Sequence, residues 1–210
     1  MNLTKIPYFL NIKGLNVTAV FNDILKNSDF MEKFQNFKNL IKVPKFNEYL
    51  LFLTENCENN VVLHSIAVSD YVYDFGIKIR KNGNDFDIET AVLGALLHDI
   101  GRSKSNYIDH GIVGAEILRK NNFNEKFAKI AERHIGAGIS KEEAVDLNLP
   151  KIDYIPETIE EKVIANADNL IFNDKRVSIE LVIDKFRKRT NVNVVNKVLL
   201  LYHEVDNLLK

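Results

Sequence analysis

The sequence is poor in cysteine and has no long apolar run. Its single cysteine, Cys57, excludes an internal disulfide and a cysteine cage for zinc or an iron–sulfur cluster, which fits a reducing compartment. Residues 1–16 are interrupted by Pro7, Lys13 and Gly14, so they resemble neither a secretory signal nor a membrane-spanning segment. We therefore expect a cytoplasmic protein without a membrane partner.

Glycine and proline are also scarce, with nine and four residues in a chain of 210. A sheet needs more turn residues than this, and apolar residues recur mostly at three- and four-residue intervals. The sequence therefore predicts an all-α fold. The formal net charge of −1 gives no indication of nucleic-acid binding, although a local basic patch would not show in the sum. The oligomeric state cannot be read from the sequence.

The apolar spacing predicts a succession of helices separated by short loops. Asp87, Asp109, Asn124 and Ser140 are expected at N-caps, and Ser140 begins a capping box with Glu143. The segment 91–100 is apolar on almost every side and is expected to be buried. Helices are predicted over 17–26, 29–42, 46–54, 61–80, 91–100, 110–120, 124–135, 140–147, 157–172, 178–188 and 192–209.

Four of the five histidines occupy distinctive positions in these helices. His64 lies within an apolar helix, His98 and Asp99 close the buried segment in "ALLHDIG", and His110 and His134 stand at a helix start and a helix end. A further carboxylate lies inside an apolar helix in "VIANADNLIF", Asp168. The fifth histidine, His203, lies in the last helix and is interpreted as a structural or surface residue.

Each of these residues alone has an ordinary interpretation. A histidine on an apolar face is usually a hydrogen-bonded core residue, and an aspartate at a helix end is usually a cap. Together they would each need a separate buried partner. One shared divalent ion would satisfy all of them, because neutral imidazole and ionised carboxylate are ligands that transition metals accept.

The ordered set of His64, His98-Asp99 and Asp168 resembles the H…HD…D signature of the HD-domain superfamily of metal-dependent phosphohydrolases, and "HDIG" at residues 98–101 is the form that names one subgroup. The resemblance covers roughly residues 46–190. It implies an HD-type helical bundle over 46–210, preceded by a short helical N-terminal extension at 1–45. The glycine of the motif, Gly101, is expected either to end the helix as a C-cap or to permit close packing.

The resemblance also implies the ligands and their chemistry. One metal would be held by His64, His98, Asp99 and Asp168, and a second by Asp99, His110 and His134. The ions, one or two of Fe, Mn, Ni, Co or Zn and less readily Mg, would activate a water for phosphoester hydrolysis. Asp99 and Arg102 are expected to be catalytic. Phosphate contacts are expected from Arg102, Arg133 and Arg176, because a planar guanidinium matches phosphate oxygens.

Several substrates fit this interpretation: a cyclic phosphate, a dinucleoside polyphosphate or a nucleoside monophosphate. A competing hypothesis is a non-catalytic HD module that binds RNA or a protein partner. For that module, the phenylalanines of the N-terminal extension (Phe21, Phe30, Phe34 and Phe37) would form a docking surface. Phenylalanines at such spacing more often build a core.

Overall fold

The helical periodicity of the sequence is realised almost throughout the structure, a computed structural model that describes residues 26–210. Helices dominate this range, and the all-α prediction is confirmed. The α-helices of the range are α1 (Ser28–Lys33), α2 (Phe37–Leu40), α3 (Phe46–Asn56), α4 (Asn59–Lys81), α5 (Ile88–Leu97), α6 (His110–Lys120), α7 (Glu125–Arg133), α8 (Lys141–Asp146), α9 (Ile159–Asn169), α10 (Ile179–Arg187) and α11 (Val192–Leu208).

The apolar helix α5 lies at the centre of the bundle. All of its residues from Thr90 to Leu97 are buried, as the sequence predicts. Helices α3, α4, α7 and α9 pack around it, α6 packs on α7, and α11 packs on α9 and α10. A 3-10 helix at Ile100–Ser103 continues from the end of α5 and rests on α6. None of the helices within residues 26–210 has the length and hydrophobicity needed to span a bilayer.

Most of the predicted caps are present. The side chain of Asp87 accepts a hydrogen bond from the backbone N–H of Thr90, and Asn124 accepts one from Lys126. Asp109 precedes α6 but makes no side-chain capping bond, because its carboxylate accepts the hydroxyl of Ser105 instead. The prediction of a side-chain cap is therefore wrong for Asp109.

The capping box at the start of α8 offers a test of the local structure. Ser140 Oγ accepts from the Glu143 N–H, and the Glu143 carboxylate accepts from the Ser140 N–H. We expect Ser140→Ala to lower the free energy of unfolding by about 1 kcal/mol, measured by urea denaturation. Ser140→Thr keeps the hydroxyl and should retain most of that stability. An equal loss in both variants would show that the cap is not the cause.

The single helix predicted over 29–42 is wrong, since α1 and α2 are separate. Asn36 lies at the break, where its backbone N–H donates to Asp70 Oδ1 at 2.7 Å and its amide to Asp74 Oδ1 at 2.7 Å. These hydrogen bonds to α4 replace the helical ones. The break between α1 and α2 thus depends on a tertiary contact, which the periodicity of the sequence cannot predict.

The predicted helix 157–172 is also too long. Helix α9 begins after Thr158, whose hydroxyl accepts from the Glu161 N–H, and it ends at Asn169. A short antiparallel hairpin follows, with strands β1 (Ile171–Phe172) and β2 (Lys175–Arg176). Its turn is formed by Asn173 and Asp174, and Asn173 adopts the left-handed conformation at φ 58° that asparagine tolerates well.

The hairpin is held from two sides. The carboxylate of Asp174 accepts a hydrogen bond from Lys33 of α1. Arg176 pairs with Asp70 at 2.9 Å and with Asp74 at 2.7 Å, both on α4, and its guanidinium lies over the ring of Tyr71. The hairpin is thus anchored to α1 and α4.

Phenylalanines of the N-terminal extension belong to the core. Phe30, Phe34 and Phe37 are at most 2% exposed and join the same apolar cluster as α3, α4 and α5. The docking surface considered for them is therefore wrong, and their core interpretation is confirmed. Phe21 and the predicted helix 17–26, apart from Lys26, lie outside the described residues. The domain boundary at residue 45 stays a prediction.

Candidate metal centre

Six predicted ligands come from five helices and face one another. His64 lies in α4, His98 and Asp99 follow α5, and Asp168 lies near the end of α9. His110 is the first residue of α6, and His134 is the C-cap of α7. Residues more than a hundred positions apart in the sequence therefore meet at one place, with His64 inside α4 and the other five residues at or next to helix ends.

The first cluster consists of His64, His98 and Asp168. Asp168 Oδ1 lies 2.8 Å from His64 Nε2 and 3.4 Å from His98 Nε2. Asp99 Oδ2 lies 3.9 Å from each of these two nitrogens. The ligand atoms of the cluster all lie within 4.8 Å of one another, a spacing at which they can share one ion.

The second cluster consists of Asp99, His110 and His134. Asp99 Oδ1 lies 3.2 Å from His110 Nε2 and 3.5 Å from His134 Nε2, and the two nitrogens are 3.2 Å apart. Asp99 thus directs one carboxylate oxygen to each cluster. This arrangement suits a carboxylate that bridges two ions.

The four imidazoles are oriented in the same way. Each Nδ1 lies against a backbone carbonyl: His64 at 2.6 Å from Asn173, and the other three at 2.7 Å. A carbonyl can only accept, so each Nδ1 donates its proton; a ring that is neutral, as metal binding requires, then presents the lone pair of Nε2 to the clusters. Hydrogen bonds of this kind fix the tautomer and orientation of metal-binding histidines in proteins. The backbone partners of the other three are Ala95 for His98, Tyr107 for His110 and Ala131 for His134.

The donor set fits a divalent cation. Two imidazole lone pairs and a carboxylate oxygen converge in the second cluster, and they repel one another unless positive charge lies between them. Among residues 26–210, His98 Nε2 and Asp99 Oδ1 are buried without a hydrogen-bond partner. Leaving buried polar atoms unpaired is costly, and a bound ion removes that cost for both.

The two carboxylates of the centre are held in their negatively charged form, which favours the binding of a cation. Burial would raise the pKa of Asp99, but the charge of His98 and contacts with His110 and His134 hold it well below its ordinary value. Burial likewise opposes ionisation of Asp168, yet His64 and His98 lower the pKa of this carboxyl. Burial would lower the pKa of His98, and Asp99 and Asp168 raise it above the usual value. Both carboxylates are therefore ionised and attract cations.

Gly101 brings the 3-10 helix against the start of α6. A Cβ on Gly101 would lie 1.9 Å from the backbone oxygen of His110 and 2.6 Å from the nitrogen of Gly114. Its φ is not positive, unlike that of Gly83 at 85°, so it is not a left-handed C-cap. Of the two roles expected for this glycine, the structure supports close packing, which brings Asp99 next to His110.

The three predicted phosphate-binding arginines have different surroundings. Arg102 lines the cavity at the metal centre, and its Nε donates to Asp99 Oδ2 at 2.8 Å. Arg133 pairs with Glu157 at 2.8 Å and with Glu161, while Arg176 is held by carboxylates of α4. Neither lines the cavity. For these two residues the structure does not provide the predicted phosphate contact, because acidic side chains already occupy their guanidinium groups.

The candidate metal centre opens into a cavity of about 740 Å³. Two of its basic residues were missed by the sequence analysis, Lys185 at the end of α10 and Arg189 just beyond it. The basic run "KFRKR" at 185–189 was the available signal, but such runs usually form solvated surfaces. Tyr107, which is 79% exposed, and the rings of Phe172 and Phe186 also line the cavity.

Comparison with known proteins places this centre within a described family. A family model for the HD domain matches residues 61–173, which contain all six candidate ligands. The uncharacterized protein MJ0778 of Methanocaldococcus jannaschii is 54% identical over 168 residues, covering 79% of this chain and 99% of that protein.

Two further similarities are more partial. A tRNA (cytidine(56)-2'-O)-methyltransferase of Picrophilus torridus is 38% identical over 82% of this chain, and the match covers only 50% of that enzyme. The HD domain of the phosphodiesterase PgpH from L. monocytogenes is 16% identical, with a TM-score of 0.42 over 71% of this chain and 90% of that one. On the match of the family model to more than half of its length, the chain belongs to the HD-domain family.

Proposed function

We propose that this chain is a metal-dependent phosphohydrolase that cleaves a phosphoester or phosphoanhydride bond in a small nucleotide-like compound. The observation that carries the proposal is the convergence of four imidazole nitrogens and two ionised carboxylates on one centre, where His98 Nε2 and Asp99 Oδ1 are buried without a hydrogen-bond partner among the described residues. Divalent ions bound there would supply a nucleophilic water at neutral pH and would neutralise phosphoryl oxygens.

The residues at the centre have two proposed roles, metal binding and phosphate binding. His64, His98, Asp99 and Asp168 would hold one ion, and Asp99, His110 and His134 a second. The Nε–H of Arg102 donates a hydrogen bond to Asp99. The two terminal nitrogens of its guanidinium make no hydrogen bond within residues 26–210. These groups are available to orient a phosphate beside the centre, as arginine does in bidentate contacts.

The cavity supports a nucleotide-like substrate. Its volume of about 740 Å³ is larger than inorganic phosphate needs and is in the usual range for small-molecule sites, about 300–1,000 Å³. Tyr107, Phe172 and Phe186 offer aromatic surface on which a base can stack. Cyclic phosphates, dinucleoside polyphosphates and nucleoside monophosphates all fit this description.

The alternative is a non-catalytic HD module that binds RNA or a protein partner. The relative named as a tRNA methyltransferase favours an association with RNA, and the chain spans half the length of that enzyme. The methyl-transfer activity in that name belongs to the longer protein. A complete set of ligand candidates favours hydrolysis, because a module that only binds has no need to retain them.

Metal removal and reconstitution test the proposed function. Protein dialysed against a chelator should contain no transition metal by elemental analysis and should hydrolyse nothing in a screen of phosphomonoesters, cyclic phosphates and dinucleoside polyphosphates. Addition of Mn²⁺, Fe²⁺, Co²⁺ or Ni²⁺ should restore one of these activities. No turnover with any metal, together with tRNA binding that survives chelation, would support the binding module instead.

A further inference from the structure

The cavity is lined by three basic residues besides the metal-ligand candidates. Arg102 lies next to the centre, whereas Lys185 and Arg189 come from the end of α10 and the residues after it. Lys185 lies in the last turn of α10 and Arg189 two residues beyond its end, and both residues line the cavity. We call these two residues the α10 cations.

The α10 cations are not held in ion pairs by the residues that the structure describes. No carboxylate of residues 26–210 forms an ion pair with either of them, although Arg119, Arg133 and Arg176 are each paired with two carboxylates. The ammonium of Lys185 instead lies over the ring of Phe172, whose centroid is 3.8 Å away. A cavity wall with two cations that are in no ion pair with the described residues is suited to an anionic ligand.

The charges on this wall also act on one another. Burial and the positive charges of Arg189 and Arg102 lower the pKa of Lys185, against the opposing effect of the Asp168 carboxylate. A bound anion would relieve this repulsion. The end of a helix presents carbonyl groups, which stabilise cations but not anions, so an anion there must be held by the side chains and not by the backbone.

We propose that Lys185 and Arg189 form a second anionic subsite, which binds a phosphate group of the substrate other than the one that is cleaved. This inference rests on the proposed function, since it places the scissile phosphate at the metal centre beside Arg102. It narrows the substrate to compounds with at least two phosphate groups, such as a nucleoside diphosphate or a dinucleoside polyphosphate. A nucleoside monophosphate or a simple cyclic phosphate would leave the subsite unused.

A charge-matched pair of variants tests the subsite. Lys185→Met/Arg189→Met removes the α10 cations, and Arg187→Met/Lys188→Met removes the same charge from the same helix end. Arg187 and Lys188 are exposed and do not line the cavity. The manganese-loaded proteins would be titrated calorimetrically with orthophosphate and with methylenediphosphonate, a non-hydrolysable compound with two phosphoryl groups. Elemental analysis would verify equal metal content before and after titration.

We expect the Kd of the Lys185/Arg189 variant for methylenediphosphonate to rise by about tenfold or more for each cation removed. A hydrogen bond between charged groups typically contributes about this factor to the affinity. Its affinity for orthophosphate should stay close to the wild-type value, and the Arg187/Lys188 control should behave as wild type with both probes. Unchanged binding of methylenediphosphonate would overturn the subsite. So would an equal loss for both probes, or the same loss in the control.

The binding experiment tests the subsite independently of whether the chain is a phosphohydrolase. Binding of methylenediphosphonate involves no turnover, so a chain that hydrolyses nothing can still show the subsite. Conversely, metal-dependent hydrolysis of monophosphates that is insensitive to loss of the α10 cations would leave the phosphohydrolase intact and overturn the subsite alone.

Discussion

Asp99→Asn is expected to lower kcat/KM for phosphoester hydrolysis by about a thousandfold and to reduce the bound metal. Asp99 is the residue whose two oxygens face both clusters, with Oδ1 at 3.2 Å from His110 and Oδ2 at 3.9 Å from His64 and His98. An amide removes the negative charge and turns one ligand atom into a donor. A loss of about 4 kcal/mol in transition-state stabilisation corresponds to this rate effect.

The measurement combines elemental analysis with the rate on the substrate identified by the screen. His98→Ala should have a similar effect, because it removes a fully buried ligand candidate. His203→Ala is the matched control, since His203 is exposed on α11 and lies in neither cluster. Circular dichroism should show folded protein for all three variants. Full metal content and activity in the Asp99 and His98 variants would refute the proposed centre.

Gly101→Ala is expected to destabilise the protein by about 3 kcal/mol and to disturb the second cluster. The added methyl group would overlap the backbone of His110, and backbone atoms cannot turn aside as a flexible side chain can. The 3-10 helix must therefore move away from α6. Overpacking of this kind costs about 1–3 kcal/mol, and more where only backbone can yield. The displacement would also separate Asp99 from His110.

Thermal unfolding and metal stoichiometry measure this effect together. Gly114→Ala is the control, because a Cβ there would meet its nearest neighbour, the nitrogen of Gly101, at 3.2 Å, which a small adjustment can relieve. We expect the Gly114 variant to unfold at a temperature much closer to wild type and to keep its metal. Equal stability of the Gly101 variant and the wild type would contradict the packing role of this glycine.

The candidate ligands could be predicted because their chemistry is unusual for their positions. Each histidine or aspartate alone has an ordinary interpretation, but their fixed order resembles the HD signature, which implied the ligand set, and the structure brings all six residues together. What the sequence lacks is the orientation of each ring. The Nδ1 contacts with backbone carbonyls depend on where turns and helix ends meet, as for His64 and Asn173, which are far apart in the chain.

Apart from Arg102, the basic residues of the site, unlike the ligand candidates, could not be predicted from the sequence. Arg133 and Arg176 lie close in sequence to ligand candidates, but carboxylates of other helices engage them. Lys185 and Arg189 lie in an ordinary charged run, and only the packing of α10 places them at the cavity. Surface charges carry little positional information, since the partner of a charged side chain is determined by tertiary structure. The hairpin was missed for a similar reason, because two-residue strands leave almost no periodic signal.

The anchoring of the hairpin implies that the N-terminal extension and the HD domain depend on each other for the geometry of the candidate metal centre. Lys33 holds Asp174, and the neighbouring residue Asn173 supplies the carbonyl that orients His64. A polypeptide begun at residue 46 would lack this lysine and the buried phenylalanines of α1 and α2. Such a truncated chain would keep every ligand candidate of the family motif. Its hairpin would be less firmly held, so the Asn173 carbonyl would no longer fix the orientation of the His64 ring.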